Sequence, residues 1–144
     1  MIEQESIGAM GGKNQPDLSD AETLQKIFAE AVLRHDLERQ GSEFYARDGK
    51  TLYTGWVKTI HRSNHKMQSL FYTKDGKLEG LWTRWSSNGS KREEATFRDG
   101  APGAYTKWHK NGQKAEKATY KDGKREGLWT EWDENGQKEL EVTY

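Results

Sequence analysis

Residues 127–138 read GLWTEWDENGQK, and two close copies precede them, GLWTRWSSNGSK at 80–91 and GAYTKWHKNGQK at 103–114. Each copy contains two aromatic residues, an Asn-Gly pair and a lysine. Asn-Gly between alternating segments is the strongest short-range signal for a β-hairpin, because a type I′ turn requires a positive φ at both central residues. The pattern therefore predicts one β-hairpin per copy, with a two-residue loop at each Asn-Gly pair.

The period of the pattern predicts the architecture of the chain. Asp-Gly pairs begin at positions 48, 75, 99 and 122 and alternate with the Asn-Gly pairs, while Asn64-His65 takes the place of Asn-Gly in a degenerate first copy. A single hairpin is marginally stable in water, so neighbouring hairpins must stack. We predict a mainly β fold, an antiparallel meander of about four hairpin repeats in one elongated twisted sheet. The repeats are expected at 44–71, 72–96, 97–119 and 120–144.

The segment before the repeats has a different pattern. Residues 1–17 contain glycines and few apolar residues, which is typical of a flexible arm. Residues 18–41 are predicted to form a helix, because Ser19 and Glu22 have the spacing of a capping box. An apolar stripe at helical spacing supports the helix and is expected to pack on the sheet or cap its first repeat; binding to a partner is the alternative. The stripe consists of Leu24, Ile27, Phe28 and Ala31.

Composition limits the class of protein. The 144-residue chain is poor in aliphatic residues but contains 6 Trp, 6 Tyr and 4 Phe, and it has no net charge. It has no cysteine, which excludes disulfides and thiolate metal sites. No apolar run reaches the length of about 18 residues typical of a transmembrane helix, and the start lacks the basic and apolar regions of a secretory signal. We therefore expect a cytoplasmic protein as the chain is given, or an exported or lipid-anchored one if a leader was removed.

Counting outward from a two-residue Asn-Gly loop assigns the aromatic residues to two faces of the sheet. Cross-strand partners share a face, and neighbours along a strand alternate between faces. On one face, the aromatic residues lie beside an alanine or a valine, or across from a strand glycine whose bare backbone they can cover. This face is predicted to be the packed, structural one. Its residues are Trp82, Tyr105, Trp129, Phe97, Tyr120 and Tyr144, with Gly80, Gly103 and Gly127.

The second aromatic residue of each copy falls on the other face, among charged residues and threonines. Its predicted cross-strand neighbours are Arg92, Ala115 and Glu139. Tryptophan is enriched among the residues that dominate binding energy. We predict that a row of Trp85, Trp108 and Trp132 anchors a partner, and that nearby charges tune specificity. These charged residues are Arg84, Lys107 and Glu131.

The main alternative is that a second layer, or the mate in a homodimer, covers the Trp row. The assignment also depends on the turn, since a three-residue loop would move the second strand by one residue and exchange its faces.

The sequence offers little that could support catalysis or cofactor binding. Glu93 and Glu94 are adjacent in a strand and point to opposite faces, and the four histidines lack converging ligands. Glycines recur at the repeat period as turn residues and form no phosphate-binding loop. Lysines and arginines are interleaved with acids, which argues against binding to nucleic acid. We predict no enzymatic activity, no metal site and no cofactor.

The pattern Y-x-D-G-K-x-x-G-x-W-x-x-W-x-x-N-G-x-K, present at 120–138 and with small changes at 72–91, resembles the MORN-repeat variant family. More narrowly, it is similar to the bacterial YwqK-like antitoxin components of toxin–antitoxin systems. The resemblance covers residues 44–144 and implies a β-hairpin repeat sheet, no catalysis and a protein partner such as a cognate toxin. The competing interpretation is a cell-envelope module that binds carbohydrate or another small ligand through the Trp row.

Overall fold

A computed structural model describes residues 16–144, so most of the arm predicted at 1–17 lies outside the described residues. Helix α1 spans Ala21–Glu30. Its N-cap is Asp20, whose carboxylate accepts hydrogen bonds from the Thr23 amide at 3.0 Å and the Thr23 hydroxyl at 2.5 Å. Ser19 instead donates to the Asp17 carboxylate, so the predicted Ser19–Glu22 capping box does not form. These hydrogen bonds lower the pKa values of both aspartates.

The predicted helix over 18–41 is wrong in its length. Ala31 already has an extended backbone, and the next ten residues form a short strand, a 3₁₀ turn and part of a separate two-stranded sheet. The apolar stripe ends where the helix ends, so no apolar face favours further helical turns. The elements are β1 Val32–Leu33, the 3₁₀ turn Arg34–Asp36, β2 Glu38–Gln40 and β3 Glu43–Tyr45.

The remaining strands form the predicted antiparallel meander. They are β4 Gly55–Ile60, β5 Met67–Lys74, β6 Lys77–Trp85, β7 Lys91–Arg98, β8 Ala101–Trp108, β9 Lys114–Lys121, β10 Lys124–Arg125, β11 Leu128–Trp132 and β12 Lys138–Thr143. The order is β1-β4-β5-β6-β7-β8-β9-β11-β12, and β10 pairs with β9. Strand β1 lies parallel to β4, and every other pair in this sheet is antiparallel. The predicted fold class is therefore confirmed.

The two-residue hairpin loops occur at Asp-Gly, which corrects the predicted turn chemistry. Asp75 and Gly76 both have positive φ, 50° and 84°, and the flanking residues pair directly. The Asp99-Gly100 and Asp122-Gly123 turns share this geometry. Positive φ at both central residues is the requirement of a type I′ turn, and Asp tolerates this conformation better than most residues.

The Asn-Gly pairs instead form three-residue loops, in which only the glycine has a positive φ. In the loop after β6, the Ser86 amide donates to the Ser90 carbonyl and the Gly89 amide donates to the Ser86 carbonyl, both at 2.9 Å. The loops after β8 and β11 repeat this hydrogen-bond pattern. This is the geometry of a turn followed by a residue in the left-handed region.

A β-bulge cancels the extra loop residue. Trp85 pairs with Lys91, but the next pair is Arg84 with Glu93, so Arg92 is the additional residue on β7. Beyond the bulge, the register equals the one predicted from a two-residue loop. Trp82 lies opposite Ala95, Tyr105 opposite Ala118, and Trp129 opposite Val142, as expected. At the bulge, the predicted neighbours are wrong by one residue, and the tryptophans pair with Lys91, Lys114 and Lys138.

A second irregularity follows each Asp-Gly turn. Between the pairs Thr73–Leu78 and Phe71–Trp82, β5 contributes one residue and β6 contributes three, including Gly80 with φ 79°. Strand β8 has one residue fewer at the equivalent place. The length difference among the repeats therefore lies in this bulge, and the Asp-Gly loops have constant length.

The stacked loops at the end of the hairpins are joined by side-chain hydrogen bonds. His61 Nε2 lies 3.0 Å from the Trp85 carbonyl oxygen, and the Asn64 amide donates to the Ser87 carbonyl at 2.8 Å. The same contacts recur two loops further along. His109 Nε2 lies 2.8 Å from the Trp132 carbonyl oxygen, and the Asn111 amide donates to the Glu134 carbonyl at 2.7 Å.

The core lies at the beginning of the sheet, where both faces are covered. On one face, which we call the helical face, Ile27 of α1 is fully buried against strand residues. These residues are Trp56, Leu70, Tyr72 and Trp85. On the opposite face, Val57 and Phe71 pack with Leu37 and Phe44, which flank and form the small β2–β3 sheet. We call this opposite face the cleft face. Each buried apolar side chain of this size contributes about 1.5–3 kcal/mol.

Candidate protein-binding surface

The predicted Trp row is not exposed along its whole length. Trp85 is only 9% exposed and belongs to the core under α1, which corrects its assignment as a partner-facing residue. The physical reason is a second layer, which was the alternative to an exposed Trp row. The apolar stripe of α1 packs on this end of the face and buries Trp85. Trp108 and Trp132 remain half-buried beyond the helix.

Lysine side chains accompany these two tryptophans. Lys91 Nζ lies 5.5 Å from the centre of the Trp108 ring, and the Arg92 guanidinium donates to the Trp108 carbonyl at 3.2 Å. Lys91 also forms a 2.9 Å ion pair with Glu94. The chain's own cation thus occupies part of the Trp108 surface predicted to contact a partner.

The three charged residues predicted to tune specificity lie on the cleft face, away from the Trp row. Arg84 donates to Glu93 at 2.8 Å, and Lys107 lies across from Glu93 on one side and Glu116 on the other. Glu131 lies across from Glu116. The structure therefore does not bring the six predicted partner-binding residues together on one surface.

The aromatic residues predicted to be structural form the more accessible apolar surface. Trp82, Phe97, Tyr105 and Tyr120 line an open cleft of about 250 Å³ together with Ala95 and Pro102. Trp82 lies across from Ala95 and Tyr105 lies across from Ala118, and both alanines are buried. Within residues 16–144, no second layer covers this part of the face, and its aromatic side chains are half-buried, so their structural role stays a prediction.

Hydrogen bonds satisfy the polar atoms along one side of the aromatic row. The Tyr105 hydroxyl donates to Glu93 at 2.8 Å, and the Trp129 indole donates to Glu116 at 3.1 Å. Burial and the hydrogen bond to Glu93 raise the pKa of Tyr105. Burial alone would raise the pKa of Glu93, but hydrogen bonds from Arg84 and Tyr105 lower it below its ordinary value. The rings are thereby fixed in position and remain available as apolar surface.

Arg125 covers the aromatic surface of the last repeat. Its guanidinium carbon lies 3.6 Å from the centre of the Trp129 ring and 5.9 Å from that of Tyr144. Its nitrogens lie 3.5 Å from the hydroxyl oxygens of Tyr120 and Tyr144, and these contacts raise the pKa of Arg125. Close stacking of a cation on an indole ring is a favourable cation–π geometry.

Arg125, Pro102 and Leu78 occupy the same place in successive repeats, three residues after the Asp of the turn. Leu78 packs with Trp82 against the core, and Arg125 stacks on Trp129. Pro102 is shorter than either and lines the open cleft. Sequence reasoning missed this position, although its constant distance from each Asp-Gly pair was a usable signal.

Within residues 16–144, no group of three or more His, Cys, Asp or Glu side chains is placed to hold a metal ion. In the same part of the chain, no helix has both the length and the apolar character needed to cross a bilayer.

Three consecutive segments of the chain match the family described as the MORN repeat variant, at residues 78–99, 102–122 and 125–144. Each segment contains one hairpin closed by an Asn-Gly loop, so three hairpins of this sheet are similar to the MORN repeat variant. MORN repeats are non-catalytic modules that generally mediate interactions with proteins or membranes. The predicted first repeat, 44–71, lies outside the matched segments. No curated protein matches the chain.

Proposed function

We propose that the protein binds a protein partner through the open cleft on the cleft face. The observation that carries this proposal is an apolar cleft lined by Trp82, Phe97, Pro102, Tyr105 and Tyr120 on an uncovered face of an interaction repeat. Clusters of aromatic residues with satisfied polar atoms are typical of binding hot spots, because they supply large rigid contact area.

The charges around the cleft favour a protein over an anionic membrane surface. Along the row beside the aromatic residues, the cations Arg84 and Lys107 alternate with the carboxylates Glu93 and Glu116. The whole chain has no net charge. Anionic lipid attracts clusters of unpaired lysine and arginine, whereas alternating charges suit a partner of complementary pattern.

Photo-crosslinking tests the position of the interface. Benzoylphenylalanine at Phe97 samples the cleft face, and the same residue at Thr119, which pairs with Ala104 on the opposite face, is the matched control. We expect a protein adduct in cells from position 97 and little or none from position 119. The adduct should decrease when the cleft is altered by Tyr105→Ser in the same chain.

Equal adducts from both positions would contradict an interface on the cleft face. Flotation with vesicles of phosphatidylserine and phosphatidylcholine provides the second arm of the test. Vesicle binding that is lost in Phe97→Ser would assign the cleft to a membrane and overturn the proposal of a protein partner.

A more specific form of the proposal is that the protein is an antitoxin or immunity protein that occludes a cognate toxin. The repeat's similarity to YwqK-like antitoxin components supports it, and a preformed sheet surface suits occlusion because little ordering is needed on binding. The test is co-expression with each adjacent open reading frame. We expect one that is toxic alone and is neutralised by the wild-type chain but not by Tyr105→Ser. Absence of any such reading frame would remove the antitoxin form and leave the broader proposal in place.

Trp108 and Trp132 remain candidates for a second contact on the helical face. If they take part, the double variant Trp108→Ala/Trp132→Ala should weaken partner binding while leaving the adduct from position 97 in place.

A further inference from the structure

We infer that the open cleft receives an arginine side chain of the partner, stacked on Tyr105 as Arg125 is stacked on Trp129. This inference rests on the proposed function and names the chemistry of the contact. The starting observation is internal to the chain, since the last repeat shows an aromatic surface of the same construction with its occupant in place.

The two surfaces correspond residue by residue. Trp129 corresponds to Tyr105, and the flanking rings Tyr120 and Tyr144 correspond to Phe97 and Tyr120 one repeat earlier. A guest guanidinium over Tyr105 would therefore lie between the Phe97 ring and the Tyr120 hydroxyl.

Pro102 leaves the space that Arg125 fills. The proline side chain ends at a ring next to its own backbone, and β8 is one residue shorter at this bulge. As a result, nothing from the same repeat crosses the Tyr105 ring, and the cleft of about 250 Å³ remains open to the outside. The partner must supply the side chain that the third matched repeat carries itself.

Carboxylates beside the cleft favour a cation over an apolar side chain such as Leu78. Glu93 accepts a hydrogen bond from the Tyr105 hydroxyl. Glu116 lies near the same ring and accepts a hydrogen bond from the Trp129 indole. Along the row beside the cleft, the carboxylates outnumber the cations Arg84 and Lys107, which leaves a net negative charge at its edge; these carboxylates are Glu93, Glu116 and Glu131. A cation over an aromatic ring gains from both the ring and the nearby carboxylate.

Arginine fits better than lysine because its guanidinium is planar. A planar cation can stack on a ring while its in-plane nitrogens reach hydroxyl groups at the rim, which is the arrangement that Arg125 adopts. The ammonium group of lysine is a compact, strongly hydrated charge that loses more hydration when it enters such a cleft.

The probe is a set of three tripeptides that differ only in the central residue. Acetyl-Leu-Arg-Leu-amide is compared with the citrulline peptide, which has the same shape without the charge, and with the lysine peptide. Titration of the ¹⁵N-labelled protein follows the indole resonance of Trp82 at the cleft and that of Trp129 at the filled site. We expect the arginine peptide to shift Trp82 with about two- to fivefold higher affinity than the citrulline or lysine peptide.

Two reciprocal variants test the assignment of the site. Pro102→Arg should fill the cleft from within and abolish the Trp82 shift, whereas Pro102→Gln, similar in length but neutral, should weaken the shift less. Arg125→Ala should uncover the last repeat, so that the arginine peptide also shifts the Trp129 resonance. The dispersion of the other indole resonances shows whether each variant is folded.

Equal affinity for the arginine and citrulline peptides would overturn the inference and leave an apolar cleft that still fits the proposed function. No shift at Trp82 with any peptide would also overturn it. A partner that crosslinks at position 97 without an arginine in the crosslinked segment would overturn it while supporting the proposed function. Failure of the crosslinking itself would count against the proposed function alone.

Discussion

Tyr105 shows how one residue can have two roles on the sheet. Its ring forms the floor of the cleft, and its hydroxyl is held by Glu93, which is itself held by Arg84. The three side chains come from three neighbouring strands, so the hydrogen bonds join β6, β7 and β8 across the sheet. The cleft floor is therefore positioned by a polar chain that lies outside the apolar contact surface.

The first prediction concerns this chain of hydrogen bonds. Tyr105→Phe keeps the ring and removes the hydroxyl, so it should lower the free energy of unfolding by about 1 kcal/mol, with the half-exposed position reducing the effect. Because the folded protein raises the pKa of Tyr105, the stabilisation is fully present below the unfolded pKa of about 10 and is lost as pH rises above it.

Urea unfolding between pH 8 and the alkaline limit checks this prediction. The difference between wild type and Tyr105→Phe should decrease as pH rises above about 10. Two curves that stay parallel throughout would contradict the assigned role. At the acidic end, the lowered pKa of Glu93 means that its stabilisation is present above an unfolded pKa of about 4.3 and disappears as pH falls through the folded value.

The second prediction concerns the helix cap. Asp20→Ala removes the acceptor for the Thr23 amide and hydroxyl and should cost about 1 kcal/mol in urea unfolding. Ser19→Ala is the matched control, because Ser19 bonds only to Asp17 in the loop before the helix, and its effect should be smaller. A larger loss for Ser19→Ala would restore the capping box predicted from the sequence.

At the scale of the elements, the Asn-Gly and Asp-Gly pairs look alike in the sequence but form different turns. Asn-Gly and Asp-Gly both favour tight turns, and both recur with the same period. Their difference arises from the strands, since a bulge follows the three-residue Asn-Gly loop and restores the register. The extra loop residue and the bulge offset each other, which is why the predicted faces are correct although the predicted turn is not.

The third prediction tests the revised turn assignment. Asp122 has a φ of 53°, so Asp122→Ala should cost about 1 kcal/mol because alanine is disfavoured in the left-handed region. Asn135 in the Asn-Gly loop has no positive φ, and Asn135→Ala should cost clearly less. Thermal unfolding of the two variants side by side provides the measurement. A larger loss of stability for Asn135→Ala than for Asp122→Ala would support type I′ turns at Asn-Gly.

Much of the fold follows from the sequence, while the site follows only in part. The repeat period and alternation are local properties, so they specify the meander and identify which residues share a face. The cover over each face is a tertiary property. Trp85 is buried because α1 happens to lie on it, and the Tyr105 cleft is open because Pro102 is short. Neither outcome can be read from the pattern of a single repeat.

At the scale of the whole molecule, the number of layers changes along the sheet. At its beginning the sheet lies between α1 and the small β2–β3 sheet, and the fully buried residues Ile27, Val57 and Leu70 are found there. From β7 onward, the described chain forms a single layer whose buried residues are small, such as Ala95, Ala118 and Thr130. The first part supplies most of the core, and the second part supplies the accessible surface.

The fourth prediction follows from this difference. Trp85→Ala leaves a cavity under α1 and should lower the free energy of unfolding by about 3–5 kcal/mol. Trp132→Ala, on the same face but in the single layer, should cost about 1–2 kcal/mol. Urea unfolding measures both losses, and the two variants are a matched pair because each removes a tryptophan from the same face. A similar loss in both variants would mean that the last repeat is covered by contacts equal to those of the helix.

The hydrogen bonds between loops divide the array into pairs. The loop containing His61 is tied to the loop after β6, and the loop containing His109 is tied to the loop after β11, each by the same histidine and asparagine contacts. Across the boundary between the pairs, the side-chain contacts at this end of the hairpins run from Arg92 to the Trp108 carbonyl and from Lys91 to the Trp108 ring. The natural unit for lengthening or recombining this protein is thus two hairpins, so chimaeras joined at the Asp99-Gly100 turn should tolerate exchange better than those joined at Asp75-Gly76 or Asp122-Gly123.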